Sequence, residues 1–263
     1  MTSFLNVGDQ LLEVQQWSSD RPGPTLVLVH EGLGCVSLWR DFPARLHEAT
    51  GLPICAYSRA GYGRSSGIDL PRPLDFHTRE ALAVLPRVLD AAKIDDCILV
   101  GHSDGASIAI IYAGAIRDPR VRALALLAPH VLTEMKTVMN ISAAKRSFEA
   151  SDLRTKLARH HAANVDNAFW GWCDAWLDPG FRQWNITTHL AAITVPVLTL
   201  RGADDAYNTP VHVDAIATQV SGPVTRIDLA DCGHVPQLDQ PGLVLEHLQR
   251  FVIAVTAPLL ANG

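Results

Sequence analysis

Apolar and polar positions follow one another along the chain in an order that predicts strands separated by helices. Residues 5–7 and 11–17 flank Gly8-Asp9 and predict an opening β-hairpin. The later apolar runs are continuous, which is typical of strands buried on both faces of a sheet. These later predicted strands cover residues 25–29, 54–57, 97–100, 122–127, 195–200 and 226–229.

Helical periodicity fills the intervals between these strands. Apolar residues recur there at the spacing of an amphipathic helix, and the predicted helices cover residues 39–49, 80–92, 106–116, 211–220 and 243–255. Pro86 falls inside the second helix and predicts a kink or a break. Strands that alternate with helices are typical of a mostly parallel sheet covered on both faces, so the sequence predicts an α/β fold.

One long segment interrupts this alternation. No strand pattern is evident over residues 130–190, although four of the six tryptophans lie there, at positions 170, 172, 176 and 184. The segment predicts a helical insertion in a core formed by residues 1–129 and 191–263. Its aromatic side chains either fill the insertion's own core or line a ligand cavity, since both environments favour large apolar residues.

Composition and charge narrow the class of protein. The 263 residues carry a net charge of −5 without a basic cluster, which argues against a nucleic-acid partner. The first residues lack the features of a signal peptide, and no apolar run is long enough for a bilayer. Five scattered cysteines favour reduced thiols in a cytoplasmic protein. Because no metal-ligand spacing such as H-E-x-x-H is found, we expect neither a metal nor a cofactor.

The stretch Gly101-His102-Ser103-Asp104-Gly105 carries the most specific chemistry. It follows a predicted strand and precedes a predicted helix, which is the setting of a nucleophile elbow. Such a turn holds its serine in strained backbone, so the flanking residues must be small. The helix N-terminus below the serine favours developing negative charge. Ser103 is therefore the candidate nucleophile.

A serine nucleophile needs a general base, and the base needs an acid behind it. In sheets of this type both partners follow later strands, in the order serine, acid, histidine. The predicted strand at residues 195–200 leads into Asp204 and Asp205, either of which is available as the acid. The strand at residues 226–229 leads into His234, which lies in a tight Gly-His-Val-Pro loop and is the candidate base.

Backbone N–H groups complete the candidate site as an oxyanion hole. One expected donor is the N–H of Asp104, directly after the nucleophile. The second is expected from the loop His30-Glu31-Gly32-Leu33-Gly34, whose two glycines allow close approach to a substrate oxygen. Each such donor typically contributes about 3 kcal/mol to the stabilisation of a transition state.

Over nearly its whole length, the chain resembles the α/β-hydrolase superfamily. Besides the elbow, the matching motifs are His30-Glu31-Gly32, Gly61-Tyr62-Gly63-Arg64-Ser65, Gly202-Ala203-Asp204-Asp205 and Gly233-His234-Val235-Pro236. Five motifs in the family's order are far more specific than any one alone. The resemblance implies that residues 130–190 form a helical cap or lid.

The resemblance also assigns roles to individual residues. It implies that Ser103 is the nucleophile, that Asp205 rather than its neighbour is the acid, and that His234 is the base. Gly32 and Asp104 resemble the residues whose N–H groups bind the oxyanion.

Glu31 departs from the family pattern, which usually has glycine at this position. A carboxylate there opposes a developing anion unless it points away or is paired, and it leaves open whether the N–H of Gly32 or of Leu33 faces the oxyanion. Glu31 is also a candidate contact for a polar substrate group. The full set of candidate substrate-binding residues is Glu31, Leu33, His130, Trp170, Trp172 and Trp176.

These features lead to one main functional hypothesis and two alternatives. The main hypothesis is a serine hydrolase that acts on a small carboxylic ester or a related acyl compound. The same triad also serves carbon–carbon bond hydrolysis, lactone opening, acyl transfer and cofactor-free perhydrolysis, which the triad alone does not distinguish. The third hypothesis is a non-catalytic binder of small molecules, since a fold does not fix a function. The expected partner is a small molecule, and the sequence leaves the oligomeric state open.

Overall fold

The centre of the fold is an eight-stranded sheet, seen in a computed structural model that describes residues 3–257. The strands are β1 (Ser3–Val7), β2 (Gln10–Trp17), β3 (Thr25–Val29), β4 (Ile54–Tyr57), β5 (Cys97–His102), β6 (Val121–Leu127), β7 (Val197–Gly202) and β8 (Val224–Leu229). Their order across the sheet is β1-β2-β4-β3-β5-β6-β7-β8. The β1–β2 hairpin is antiparallel and β2 pairs antiparallel with β4, while β3 to β8 run parallel to one another. The predicted α/β fold is therefore confirmed.

Helices connect the parallel strands. The α-helices are α1 (Phe42–Thr50), α2 (Phe76–Arg79), α3 (Leu85–Ala91), α4 (Asp104–Ala115), α5 (Met135–Ala150), α6 (Leu153–His161), α7 (Val165–Leu177), α8 (Val211–Gln219), α9 (Pro236–Asp239) and α10 (Pro241–Thr256). Within residues 3–257, none of them is long and apolar enough to cross a membrane.

Two predicted helices differ in detail from the structure. The helix predicted over residues 39–49 is interrupted at Arg40, whose φ of 53° ends a short 3₁₀ helix before α1 begins. The helix predicted over residues 80–92 begins with a π-helical segment, Glu80–Val84, and continues as α3. Pro86 lies in the first turn of α3, directly after the point where the π-helical segment passes into the α-helix.

The core consists of two apolar layers, one on each face of the sheet. Along β3, Val27 and Val29 pack into the layer beneath α3 and α4, whereas Leu26 and Leu28 pack into the layer beneath α1 and α10. Because successive strand residues point to opposite faces, a continuous apolar run fills both layers at once. All five cysteines are buried and none is in a disulfide.

The chain between β6 and β7 forms a helical unit with its own aromatic cluster. It contains α5, α6, α7 and short 3₁₀ segments, and its one β-bridge joins Leu132 to Asn185. Phe148 and Phe169 stack with their ring centroids 3.6 Å apart, and Trp176 packs edge-on against Phe181. Aromatic side chains of this segment therefore fill a local core, and Trp172 and Trp176 also line a cavity.

Candidate active site

Ser103 occupies a sharp turn between β5 and α4. Its φ of 52° is a left-handed conformation that residues with a side chain rarely adopt. A Cβ added to Gly105 would lie 1.9 Å from the carbonyl oxygen of Val29, and one added to Gly101 would lie 2.5 Å from the carbonyl oxygen of Gly105. The two glycines are required because α4 begins in direct contact with the neighbouring backbone.

The loops after β7 and β8 bring a carboxylate and an imidazole to this serine. His234 Nε2 lies 3.0 Å from Ser103 Oγ, and His234 Nδ1 lies 2.8 Å from Asp205 Oδ2. The other carboxylate oxygen of Asp205 accepts the backbone N–H groups of Tyr207 at 2.7 Å and Asn208 at 3.2 Å. Because the carboxylate accepts the Nδ1 proton, Nε2 is left free to accept the proton of the serine hydroxyl.

Asp205 is fully buried, yet it is held in its ionised form. Burial alone would raise the pKa of its carboxyl group, but the hydrogen bonds from His234 and from the two backbone N–H groups lower it below the usual value. Asp204 lies exposed on the same turn, with its backbone N–H bonded to the carbonyl of Cys232. The structure therefore brings Asp205, and not Asp204, to the histidine.

The loop after β3 lies beside the elbow and supplies free backbone donors. Within residues 3–257, the N–H groups of Gly32, Leu33 and Asp104 have no hydrogen-bond acceptor in the protein. A Cβ on Gly32 would lie 2.2 Å from Nε1 of Trp172, so a side chain at this position would collide with the indole. Both Gly32 and Leu33 line the same cavity as Ser103, and the choice between their N–H groups stays open.

Glu31 is paired, which answers the question raised by its position in this loop. Its Oε2 lies 3.3 Å from Nδ1 of the buried His102, whose Nε2–H donates to the backbone carbonyl of His234 at 2.7 Å. Burial opposes both charges, but each partner stabilises the other, so the pKa of Glu31 is lowered and that of His102 is raised. His102 thus ties the elbow to the loop of His234. Nothing in the sequence indicates this contact beyond the position of His102 inside the elbow motif.

A cavity of about 200 Å³ opens above Ser103 and His234. Among the candidate substrate-binding residues, those that line it are Glu31, Leu33, His130, Trp172 and Trp176. Sequence reasoning missed four further lining residues, which are Thr137 and Ile141 of α5, Tyr207 of the loop after β7 and Val235 next to His234. Tyr207 lies two residues after Asp205, which is the only sequence signal that could have indicated it.

Trp170 is a correction to the predicted set, because it does not line the cavity. Its indole packs edge-on against Phe148 and Phe169, and the ammonium of Lys145 lies 5.3 Å from its ring centroid. Residues four apart share one face of a helix, as Trp172 and Trp176 do, whereas Trp170 is displaced from that face of α7.

A larger cleft of about 720 Å³ lies elsewhere, at the amino ends of the parallel strands. Its lining includes Asp96, Arg122 and Phe251 but neither a serine nor a histidine. Ligands of parallel sheets bind outside the carboxyl ends of the strands, where Ser103 lies. No group of three or more His, Cys, Asp or Glu residues between positions 3 and 257 is arranged to hold a metal ion.

The fold agrees with comparisons to known proteins. Residues 26–247 match the model of the Alpha/beta hydrolase family, and the chain belongs to that family. No curated protein sequence matches the chain significantly.

Similar solved structures include enzymes that cleave esters and lactones. An esterase from Exiguobacterium antarcticum has a TM-score of 0.77 and 20% identity over 96% of this chain and 99% of its own. A thermophilic esterase from Thermogutta terrifontis has a TM-score of 0.73 and 18% identity, covering 97% of this chain and 99% of its own. The enol-lactonase from Burkholderia xenovorans has a TM-score of 0.73 and 17% identity, covering 95% and 99%. At these identities the likeness concerns the fold, while the family supports a hydrolase.

Proposed function

We propose that this protein is a serine hydrolase that cleaves a small carboxylic ester, or a related acyl compound, through an acyl-enzyme. The observation that carries the proposal is the continuous hydrogen-bonded chain from Asp205 through His234 to Ser103, with distances of 2.8 and 3.0 Å. A non-catalytic binder has no need of a buried ionised carboxylate that orients a histidine toward a strained serine.

The reaction follows from these contacts. Ser103 Oγ attacks the acyl carbon while its proton passes to Nε2 of His234, and Asp205 stabilises the imidazolium that forms. The N–H of Asp104, with that of Gly32 or Leu33, binds the oxyanion of the tetrahedral intermediate. His234 then protonates the departing alkoxide, leaving Ser103 acylated. Water deprotonated by the same imidazole attacks the acyl-enzyme, and the acid leaves as Ser103 regains its proton.

The cavity limits the size of the acyl group. At about 200 Å³ it is smaller than the roughly 300–1,000 Å³ typical of sites for drug-sized ligands. Trp172, Trp176 and Ile141 supply apolar walls. We therefore expect a short or compact acyl chain rather than a long fatty acid.

The first experiment is hydrolysis of p-nitrophenyl esters from acetate to decanoate, with Ser103→Ala as control. The wild-type protein should prefer the short esters, and the rate in Ser103→Ala should fall by at least about ten-thousandfold. Full activity in Ser103→Ala would overturn the proposal.

Covalent labelling by a fluorophosphonate separates the remaining alternatives. Stoichiometric labelling of Ser103 without ester turnover would indicate a live nucleophile that serves carbon–carbon cleavage, lactone opening or perhydrolysis. Neither labelling nor turnover would indicate a small-molecule binder.

A further inference from the structure

The charged residues that line the catalytic cavity are acids rather than permanent cations. Two of them are carboxylates, Glu31 and Asp104, and none is a lysine or an arginine. Three aromatic side chains, Trp172, Trp176 and Tyr207, form much of the remaining wall. Aromatic faces attract cations and carboxylates pair with them, so this lining favours a positively charged ligand group over a negative one.

Asp104 is the more unusual of the two acids. It follows the nucleophile directly, and only 1% of its surface is exposed. Its Oδ1 accepts the indole N–H of Trp176 at 3.2 Å and lies 3.2 Å from Nε2 of His77, whereas its Oδ2 has no hydrogen-bond partner within residues 3–257. A buried carboxylate oxygen without a donor is costly, and native proteins rarely keep one without a use.

The carboxyl group of Asp104 remains ionised in this setting. Burial would raise its pKa, but His77, Arg59 and the indole of Trp176 lower it below the usual value. The charge is therefore present at neutral pH. Because Asp104 is buried, this charge is screened less than it would be in water.

The balancing cations lie outside the cavity wall. Arg59 is fully buried behind the elbow, where its guanidinium donates to the backbone carbonyl of Glu31 at 2.9 Å. Lys136 of α5 donates to the backbone carbonyls of Asp205 and Asn208. Neither side chain lines the cavity, so a bound group meets the acids and the aromatic rings first.

From this lining we infer that the cavity selects acyl substrates that carry a protonated amine close to the carbonyl carbon, such as amino-acyl esters. The inference rests on the proposed hydrolase function and deepens it. Asp104 is adjacent to Ser103 in the chain, so its charge lies near the acyl part of a substrate bound to that serine. The protonated amine brings a positive charge to the part of the cavity that Asp104 lines, where the buried carboxylate supplies a negative charge. Asp104 thereby acts as the specificity-determining side chain.

The test compares three benzyl esters that differ chiefly in one substituent on the carbon next to the carbonyl. The esters are those of 2-methylpropanoate, alanine and methylmalonate, which place a methyl, an ammonium or a carboxylate there. The measurement is kcat/KM from the release of benzyl alcohol, divided by the rate with hydroxide to remove intrinsic reactivity. The wild-type protein should prefer the alanine ester over the neutral ester by at least tenfold and should reject the anionic ester.

The isosteric variant Asp104→Asn identifies the residue responsible. The ratio of the alanine ester to the neutral ester should fall at least tenfold in this variant. The control variant Asp204→Asn, which changes an exposed carboxylate on the turn after β7, should keep the wild-type ratio. The readout is a ratio within one protein, so a general loss of activity in either variant cancels.

The possible failures are distinguishable. If the wild-type protein hydrolyses the neutral ester at least as well as the alanine ester, or if Asp104→Asn leaves the ratio unchanged, the inference is overturned while the hydrolase function stands. If no ester is hydrolysed and Ser103 does not react with a fluorophosphonate, the proposed function fails and the inference fails with it. The wild-type series alone decides the preference even if Asp104→Asn does not fold.

Discussion

Replacing Asp205 with asparagine tests the geometry of the candidate triad most directly. Asp205→Asn keeps the shape of the side chain, but it removes the charge and leaves one acceptor oxygen instead of two. In the wild-type protein, three donors share the two carboxylate oxygens. Oδ2 accepts His234 Nδ1–H at 2.8 Å, and Oδ1 accepts the N–H groups of Tyr207 and Asn208. One set of donors must therefore lose its acceptor.

The hydrogen-bond count indicates which set loses it. The amide oxygen is expected to stay with the two backbone N–H groups, which places the amide NH₂ against Nδ1 of His234. That contact selects the tautomer protonated on Nε2, which is unable to accept the proton of Ser103. A wrong tautomer of this kind lowers kcat by about ten-thousandfold, or roughly 5.5 kcal/mol of transition-state stabilisation. The loss should be smaller than in Ser103→Ala or His234→Ala, because the base itself remains.

The assay is hydrolysis of p-nitrophenyl butyrate, with Asp204→Asn as the matched control. Asp204 is exposed and makes no contact with His234, so its variant should stay within about twofold of the wild-type rate. Thermal unfolding of both variants separates catalytic loss from misfolding. A severe loss in Asp204→Asn together with a mild one in Asp205→Asn would refute the reasoning.

Three further predictions address the elbow, the pH dependence of stability and the cavity. Gly105→Ala should destabilise the fold by about 3 kcal/mol in urea unfolding, because the new Cβ meets backbone, whereas Gly242→Ala, with nothing within 4 Å, should be neutral or slightly stabilising. Hydrogen bonds from the Arg120 guanidinium lower the pKa of Asp118 to about 2. The contribution of Asp118 to the free energy of unfolding is therefore present above about pH 4 and is lost as the pH falls toward 2. Asp118→Asn should accordingly cost about 1 kcal/mol at pH 7, and a cost that is constant down to pH 2 would contradict this. Trp172→Leu should move the preferred p-nitrophenyl ester to a longer acyl chain, and an equal move in Trp170→Leu would contradict the assignment of the cavity wall.

The strands and the elbow could be predicted because their causes are local. A run such as Thr25–Val29 is apolar at every position since it fills both layers of the core, and this pattern is visible without knowledge of any partner. Likewise, Gly101 and Gly105 flank Ser103 because of contacts formed within the turn and with the adjacent strand. Arg40 shows the limit, because the sequence around it has helical spacing and gives no sign of its positive φ.

The choice between the two adjacent aspartates could not be made from the residues alone. Both carboxylates follow the same strand, and the direction of each depends on how the turn after Gly202 closes against the loop of His234. A Cβ on Gly202 would lie 2.2 Å from the carbonyl of Cys232, so the contact between the two loops fixes that turn. The resemblance to a family supplied the spacing that local reasoning lacked, and the geometry agrees with it at Asp205.

The contacts around the elbow that sequence reasoning missed share one physical property: they join polar side chains that lie far apart in the chain. His102 meets Glu31 across 71 positions, and Asp104 meets Trp176 across 72. The periodicity of apolar residues detects buried faces and assigns a charged residue to the surface by default. It therefore does not detect such buried polar pairs. Burying them opposes folding unless their partners compensate, and proteins accept that expense mainly where a site requires a fixed charge. The concentration of these groups around Ser103 is therefore an independent reason to expect substrate selection there. Asp104, with an oxygen that no partner within residues 3–257 satisfies, is the position where that selection should be measured.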